Sequence, residues 1–189
     1  MAQHYSSANT SVNTGKLPYL FSHLESLVGK AEKPDHYILD IGCGKETAHI
    51  REKAKSLGWG YIGYDPYNQT EDQQEIAKFG MALFPISIST LSNVVNVIDD
   101  DQAIIDAIKM GIENAISHVA LVTIYEGDGS GVGKVTKNDC YQRNMKRKDY
   151  LPLFESAGLY AMRIPKGFAV SDIPVNTHIH YYFKKPQKI

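Results

Sequence analysis

Asp40-Ile41-Gly42-Cys43-Gly44 combines a carboxylate with two closely spaced glycines. Glycine lets a backbone turn sharply and approach a ligand closely. A carboxylate two residues ahead of that turn can accept a hydrogen bond from a ligand ammonium or a loop amide. Cys43, between the glycines, reads as a small space-filler rather than a nucleophile. A second carboxylate, Asp65, follows Gly44 by 21 residues, and at a strand end it suits a bidentate bond to two ribose hydroxyls. Glu126 and Asp128 could face a reacting group by location, beside Tyr125 and a run with four glycines in seven residues, Gly127 to Gly133. That run is mobile or tightly turned, and either covers a site as a lid or is plain surface loop. It is not a Walker A loop, because Gly133-Lys134 is followed by Val135.

The elements that must position these groups follow from apolar spacing. Leu17 to Val28 has helical spacing. Tyr37 to Leu39 reads as a buried strand ending at Asp40, and residues 46–57 as the next helix. Tyr61 to Tyr64 reads as a second strand, stopped by Asp65-Pro66. Residues 71–79 suggest a short helix, and 81–98 one or two strands with a helical turn. Residues 100–115 form an amphipathic helix with Asp99, Asp100 and Asp101 as cap candidates. Val119 to Tyr125 is the clearest strand. A helix over 146–157 and strands near 159–164 and 177–184 follow, the last two separated by a loop containing Gly167 and Pro174. Alternating strands and helices imply a mostly parallel sheet with helices on both faces and an antiparallel edge. Ligands in such sheets bind outside the carboxyl ends of the strands. Segments 40–47, 65–68, 89–96 and 125–133 therefore share one rim.

Composition sets wide limits. A chain of 189 residues, 43% apolar and 22% charged, builds one core without metals or disulfides. A formal charge of −1 gives no global pull toward nucleic acid or anionic membrane. Two cysteines make no disulfide framework, and a free thiol fits a reducing compartment. The first 16 residues are polar, without a basic-then-apolar signal pattern, and no apolar run suits a membrane span. The cytoplasm is the expected location. The chain divides into an N-terminal segment and helix, 1–34, packing on or over the site, and a ligand-binding domain, 35–189.

A nicotinamide-binding unit would need G-x-G-x-x-G, and here the third position is Thr47. That makes an NAD-dependent oxidoreductase the weaker alternative. Ile38-Leu39-Asp40-Ile41-Gly42-Cys43-Gly44 resembles the first motif of the class I S-adenosylmethionine-dependent methyltransferases. Asp65 in Tyr61-Ile62-Gly63-Tyr64-Asp65-Pro66-Tyr67 resembles that family's ribose-binding motif. The cofactor has no pyrophosphate, and its sulfonium and ammonium favour nearby carboxylates. The resemblance spans roughly residues 35–184. Asp65-Pro66-Tyr67 with Asn93 to Asp100 also resembles a group of methyltransferases associated with bacterial DNA modification systems.

The resemblance implies a three-layer α/β/α Rossmann-like methyltransferase fold with a mostly parallel seven-stranded sheet whose last strand is antiparallel. It implies S-adenosylmethionine as cofactor and S-adenosylhomocysteine as product. Asp40, Ile41, Gly42, Cys43 and Gly44 would surround the methionine part. Asp65 would hold the ribose, with Pro66 and Tyr67 near the adenine. Asn93 and Asn96 would face the transferred methyl group, Asn93 touching the cofactor too. An acidic residue near the adenine amino group is usual, but residues 80–92 contain none. Backbone groups or Ser87 and Ser89 would substitute. Catalytic candidates are Asn93, Asn96, Glu126 and Asp128. The acceptor is a nucleic acid or a small molecule, yet no Asn-Pro-Pro-Tyr, Asp-Pro-Pro-Tyr or Pro-Cys signature occurs. Residues 134–148 hold six basic side chains and one acidic, a patch that could bind phosphates. Tyr125, Tyr141, Arg143 and Lys146 are the substrate-side candidates. His178 and His180 alternate on one strand face and read as structural, with no third ligand to complete a metal site. A catalytically silent S-adenosylmethionine- or nucleotide-binding module, acting through a partner, is the other alternative.

Overall fold

The computed structural model describes residues 15–31, 35–45, 47–136 and 140–174. Six strands make one sheet: β1 (Tyr37–Ile41), β2 (Gly60–Tyr64), β3 (Ile86–Ser92), β4 (Val119–Thr123), β7 (Tyr160–Ile164) and β8 (Gly167–Ser171). Their order is β2-β1-β3-β4-β8-β7. The pairs β1–β2, β1–β3 and β3–β4 are parallel, and β8 runs antiparallel to both β4 and β7. A separate two-stranded ribbon joins β5 (Lys134–Val135) to β6 (Tyr141–Gln142).

Alternation of side chains along each strand divides the core between two faces. Leu39, Ile41, Ile62, Ile86, Leu91, Val122 and Phe168 meet α4 (Glu71–Leu83), α5 (Asp101–Asn114) and α6 (Leu151–Ser156) on one face. Ile38, Tyr61, Ile88, Leu121 and Ala169 meet α1 (Tyr19–Ser22), α2 (Leu24–Val28) and α3 (Ala48–Ser56) on the other. Ile86 and Ile88 face opposite ways despite a spacing of two, because the β1–β3 register shifts between Tyr37 and Ile38. The architecture is thus α/β with a mostly parallel mixed sheet and helices on both sides. No helix of the described residues is long and apolar enough to cross a membrane.

Local chemistry fixes several boundaries. The single helix expected over 17–28 is two, broken at His23. Ser22 Oγ donates to the Tyr19 carbonyl, and His23 Nδ1 lies 3.0 Å from the same oxygen, which competes with the helical ladder. Leu20, Phe21 and Leu24 are fully buried, so this segment is part of one core face. α4 runs four residues past the expected end. Thr70 and Gln73 form a capping box at its start, and Pro85 follows its end. The helix expected over 146–157 begins instead as a 3-10 turn at Arg147–Tyr150 and continues as α6, with a proline in the first turn.

The main correction concerns the end of the sheet. The antiparallel strand is β8, inside the segment expected to be a loop; residues 177–184, with His178 and His180, lie outside the described residues. Gly167 is a strand residue there because β8 passes close against β4. A Cβ on Gly167 would overlap the Val122 carbonyl oxygen. The sheet has six strands among the described residues, where the resemblance implies seven. Gly167→Ala should therefore destabilise the fold by about 3 kcal/mol or more, since the obstruction is backbone and cannot rotate away. Urea unfolding measures this, and a change below about 1 kcal/mol would contradict the β4–β8 pairing.

Candidate functional site

The carboxyl ends of β1, β2, β3 and β4 bring residues 42–45, 65–69, 93–96 and 124–128 to one rim. The first two segments interlock. Gly42 and Gly44 both take positive φ, +73° and +75°, a conformation that costs glycine little. Gly42 N–H donates to the Tyr64 carbonyl at 2.8 Å. Val94, from the rim after β3, covers this turn, and a Cβ on Gly42 would sit 2.5 Å from its Cγ2.

Asp65 is 4% exposed. Its Oδ1 accepts from the backbone N–H groups of Tyr67 and Asn68, both at 2.9 Å. Its Oδ2 accepts from Gly44 N–H at 2.9 Å and from Asn68 Nδ2 at 3.0 Å. Four donors fill the four lone-pair positions of the carboxylate. Gln69 completes the tie. Its Oε1 accepts from Asp65 N–H, and its Nε2 donates to the Gly63 carbonyl and to Cys43 Sγ. Pro66 is half-buried and Tyr67 is exposed on the same rim.

Asp40 points to the face of α1–α3 and is 2% exposed. Its Oδ1 accepts from Thr90 Oγ1 at 2.7 Å and its Oδ2 from Tyr61 Oη at 3.0 Å. Thr90 is its register partner on β3. Burial pushes the Asp40 carboxyl up to about 7, against the two hydroxyl bonds that pull it down, with the nearby Asp65 raising it further. Burial likewise drives the Cys43 thiol and the Tyr61 phenol well above their ordinary values, with Asp40 adding to both. Cys43 is thus no nucleophile near neutral pH, and both Cys43 and Cys140 are free thiols.

The catalytic candidates divide. Asn93 is exposed at φ +58°, its N–H bonded to the Thr123 carbonyl. Asn96 is buried; its Nδ2 donates to Gln142 Oε1 and its Oδ1 accepts from Tyr125 N–H. Glu126 accepts from Arg147 N–H at 2.7 Å and Arg147 Nη2 at 3.0 Å, and these bonds hold its pKa below the ordinary carboxylate value. Asp128 pairs with Lys134 at 2.8 Å and accepts from Ser130 N–H, which holds it below the usual carboxylate range. Both acids are therefore poor proton acceptors at neutral pH.

The glycine-rich run is tightly turned. Buried Asn144 pins it: its carbonyl accepts from Gly131 N–H, and its Nδ2 donates to the Val132 carbonyl. Of the basic stretch, Lys134, Arg143 and Arg147 are each paired with an acid, Arg143 with Asp101 of α5. Tyr125 is exposed, Tyr141 half-buried and Lys146 exposed. Ser87 and Ser89 do not reach the rim. They are buried within β3, Ser87 beside His36 and Ser89 bonded to the Val119 carbonyl, so neither is placed to meet an adenine.

Tyr61, Thr90, Asn68 and Gln69 are the site residues that motif spacing passes over. Asp40, the one charged residue in the apolar run of β1, is the signal in the sequence for a buried polar partner such as Tyr61 or Thr90. No family model matches the chain, and no curated protein matches it.

The Asp40 environment has a pH signature. The folded value is raised, so between about 4 and about 7 the folded state holds a proton that the unfolded state releases. Stability from this group is lost as pH rises through that window, with a slope of at most about 1.4 kcal/mol per pH unit, and is level above it. Asp40→Asn keeps an acceptor and a donor in place and should remove that slope. Equal slopes in denaturant titrations of the two proteins from pH 4.5 to 8 would contradict the assignment.

Proposed function

We propose that the chain is an S-adenosylmethionine-dependent methyltransferase of Rossmann-like fold, with its cofactor site at the interlocked turns after β1 and β2. The observation that carries this reading is the bond from Gly44 N–H to Asp65 Oδ2. It joins the two motifs of the resemblance into one surface at the carboxyl edge of the sheet. The reversed strand β8, the last in chain order among the described residues, is in keeping with the antiparallel strand that the resemblance implies. On this reading the backbone of 41–44 lines the methionine part, and Pro66 and exposed Tyr67 flank the adenine. For Asp65 to take both ribose hydroxyls, the Asn68 side-chain amide and one loop N–H must leave it. The sulfonium supplies the reactivity. The protein's part is to hold the acceptor in line and exclude water.

A second reading is a catalytically silent binding module. It is favoured by the bonds that occupy Asn96, Glu126 and Asp128 and leave no free base among them. A labelled-methyl assay against DNA, RNA and cell extract separates the two readings.

Calorimetry tests the cofactor. S-adenosylmethionine and S-adenosylhomocysteine should bind and NAD should not. Asp65→Ala should raise the dissociation constant at least tenfold, about 1.4 kcal/mol or more. Tyr67→Ala, which keeps the Tyr67 N–H bond to Asp65, should weaken binding. Heat from NAD alone, or none from either sulfur ligand in folded protein, rejects the proposal.

A further inference from the structure

A cavity of about 310 Å³ lies at the end of the sheet where β7 passes into β8. Its charged lining is Lys146, Arg147, Lys148, Arg163 and Glu126, and Phe168 forms part of its floor. Arg163 and Phe168 are register partners across β7 and β8. Chain order separates Arg163 from the lysines by α6, so the cluster exists only in the fold.

Four cations meet one carboxylate here. Glu126 is already engaged by both the backbone N–H and the guanidinium of Arg147. Those two hydrogen bonds make Glu126 a positioning group, because they fix where Arg147 presents its remaining N–H donors. Among the described residues no carboxylate pairs with Lys146, Lys148 or Arg163. Like charges gathered around one concave surface focus a positive field into the cavity. An anion complements that field. Guanidinium groups match the oxygens of phosphate through paired bonds, and lysines add point charge. The volume is at the small end for a ligand site. It suits one phosphate with a sugar-sized attachment.

We propose that this cavity is a phosphate-binding site. Resting on the methyltransferase reading, it further assigns the methyl acceptor to phosphate-bearing compounds, because Glu126 follows β4 on the same rim as the glycine turn. The phosphate belongs either to a free nucleotide or to a single-stranded nucleic acid. This narrows the basic region from 134–148 to Lys146, Arg147 and Lys148, and adds Arg163.

The test is binding of AMP by calorimetry and of a labelled twelve-nucleotide single strand by fluorescence anisotropy, at fixed low salt. Wild type should bind at least one of them. Arg163→Gln and Lys148→Gln, both at exposed positions, should each weaken that binding at least fivefold. Lys55→Gln, on the exposed side of α3, should change it less than twofold. Binding of AMP that competes with the strand identifies a nucleotide-sized site; binding of the strand alone identifies a polymer. S-adenosylhomocysteine affinity should be equal in all four proteins. Phosphate binding without S-adenosylhomocysteine binding keeps the site and removes the methyltransferase reading. S-adenosylhomocysteine binding with neither phosphate ligand bound overturns the site alone. So does AMP or strand binding that Arg163→Gln and Lys148→Gln leave unchanged.

Discussion

The rim of this protein depends on one buried carboxylate. Asp65 gathers three backbone N–H groups and one side-chain amide from two loops that belong to different strands. Without it, the buried donors of Gly44 and Asn68 would be left unpaired, at about 1–3 kcal/mol each. Nothing else among the described hydrogen bonds ties Gly44 to the loop after β2. The carboxylate thus sets the shape of the glycine turn, and through that turn the surface any ligand meets.

The groups around it reinforce the same shape. Gln69 reads three atoms of the two loops at once, and Val94 closes over Gly42 from the neighbouring strand. Below the rim, Asp40 lies between Tyr61 and Thr90 as a polar plug in an apolar layer. Its burial favours the neutral acid at low pH and leaves a buried charge near neutrality. Two carboxylates close together, one filled by N–H donors and one by hydroxyls, give the β1–β2 edge a negative interior. A cationic ligand group is the natural complement to that interior. The β7–β8 end of the same rim has the opposite character, with Lys146, Lys148 and Arg163 around one cavity.

Much of the fold was legible from spacing. β1, β2, β4, α5 and β7 fall where apolar periodicity puts them, and the shared rim of four segments follows from strand order. What escaped had physical causes. β8 carries Gly167, which looks like loop punctuation until β4 is known to pass against it. α4 outran its expected end because Gly80, which looks like a stop, is a helix residue packed against Ile62, and the helix ends only ahead of Pro85. The parity of β3 changes at a bulge that only its pairing with β1 reveals. At the site, Asp65 and the glycines were visible by motif, but the side chains that saturate Asp65 and Asp40 come from pairings that no local window contains. Arg163 joins Lys148 for the same reason. The basic stretch itself looked more uniform than it is, since three of its cations are paired with acids distant in sequence or across a turn.

The central claim is that the turns after β1 and β2 form the cofactor surface. Amide chemical shifts during titration with S-adenosylhomocysteine address it directly. Saturable changes should centre on Gly42, Gly44, Tyr67 and Asn68, whose N–H groups all bond into the Asp65 network or the strand beside it. Binding with those amides unmoved, or shifts confined to the Arg163 cavity, would contradict the account.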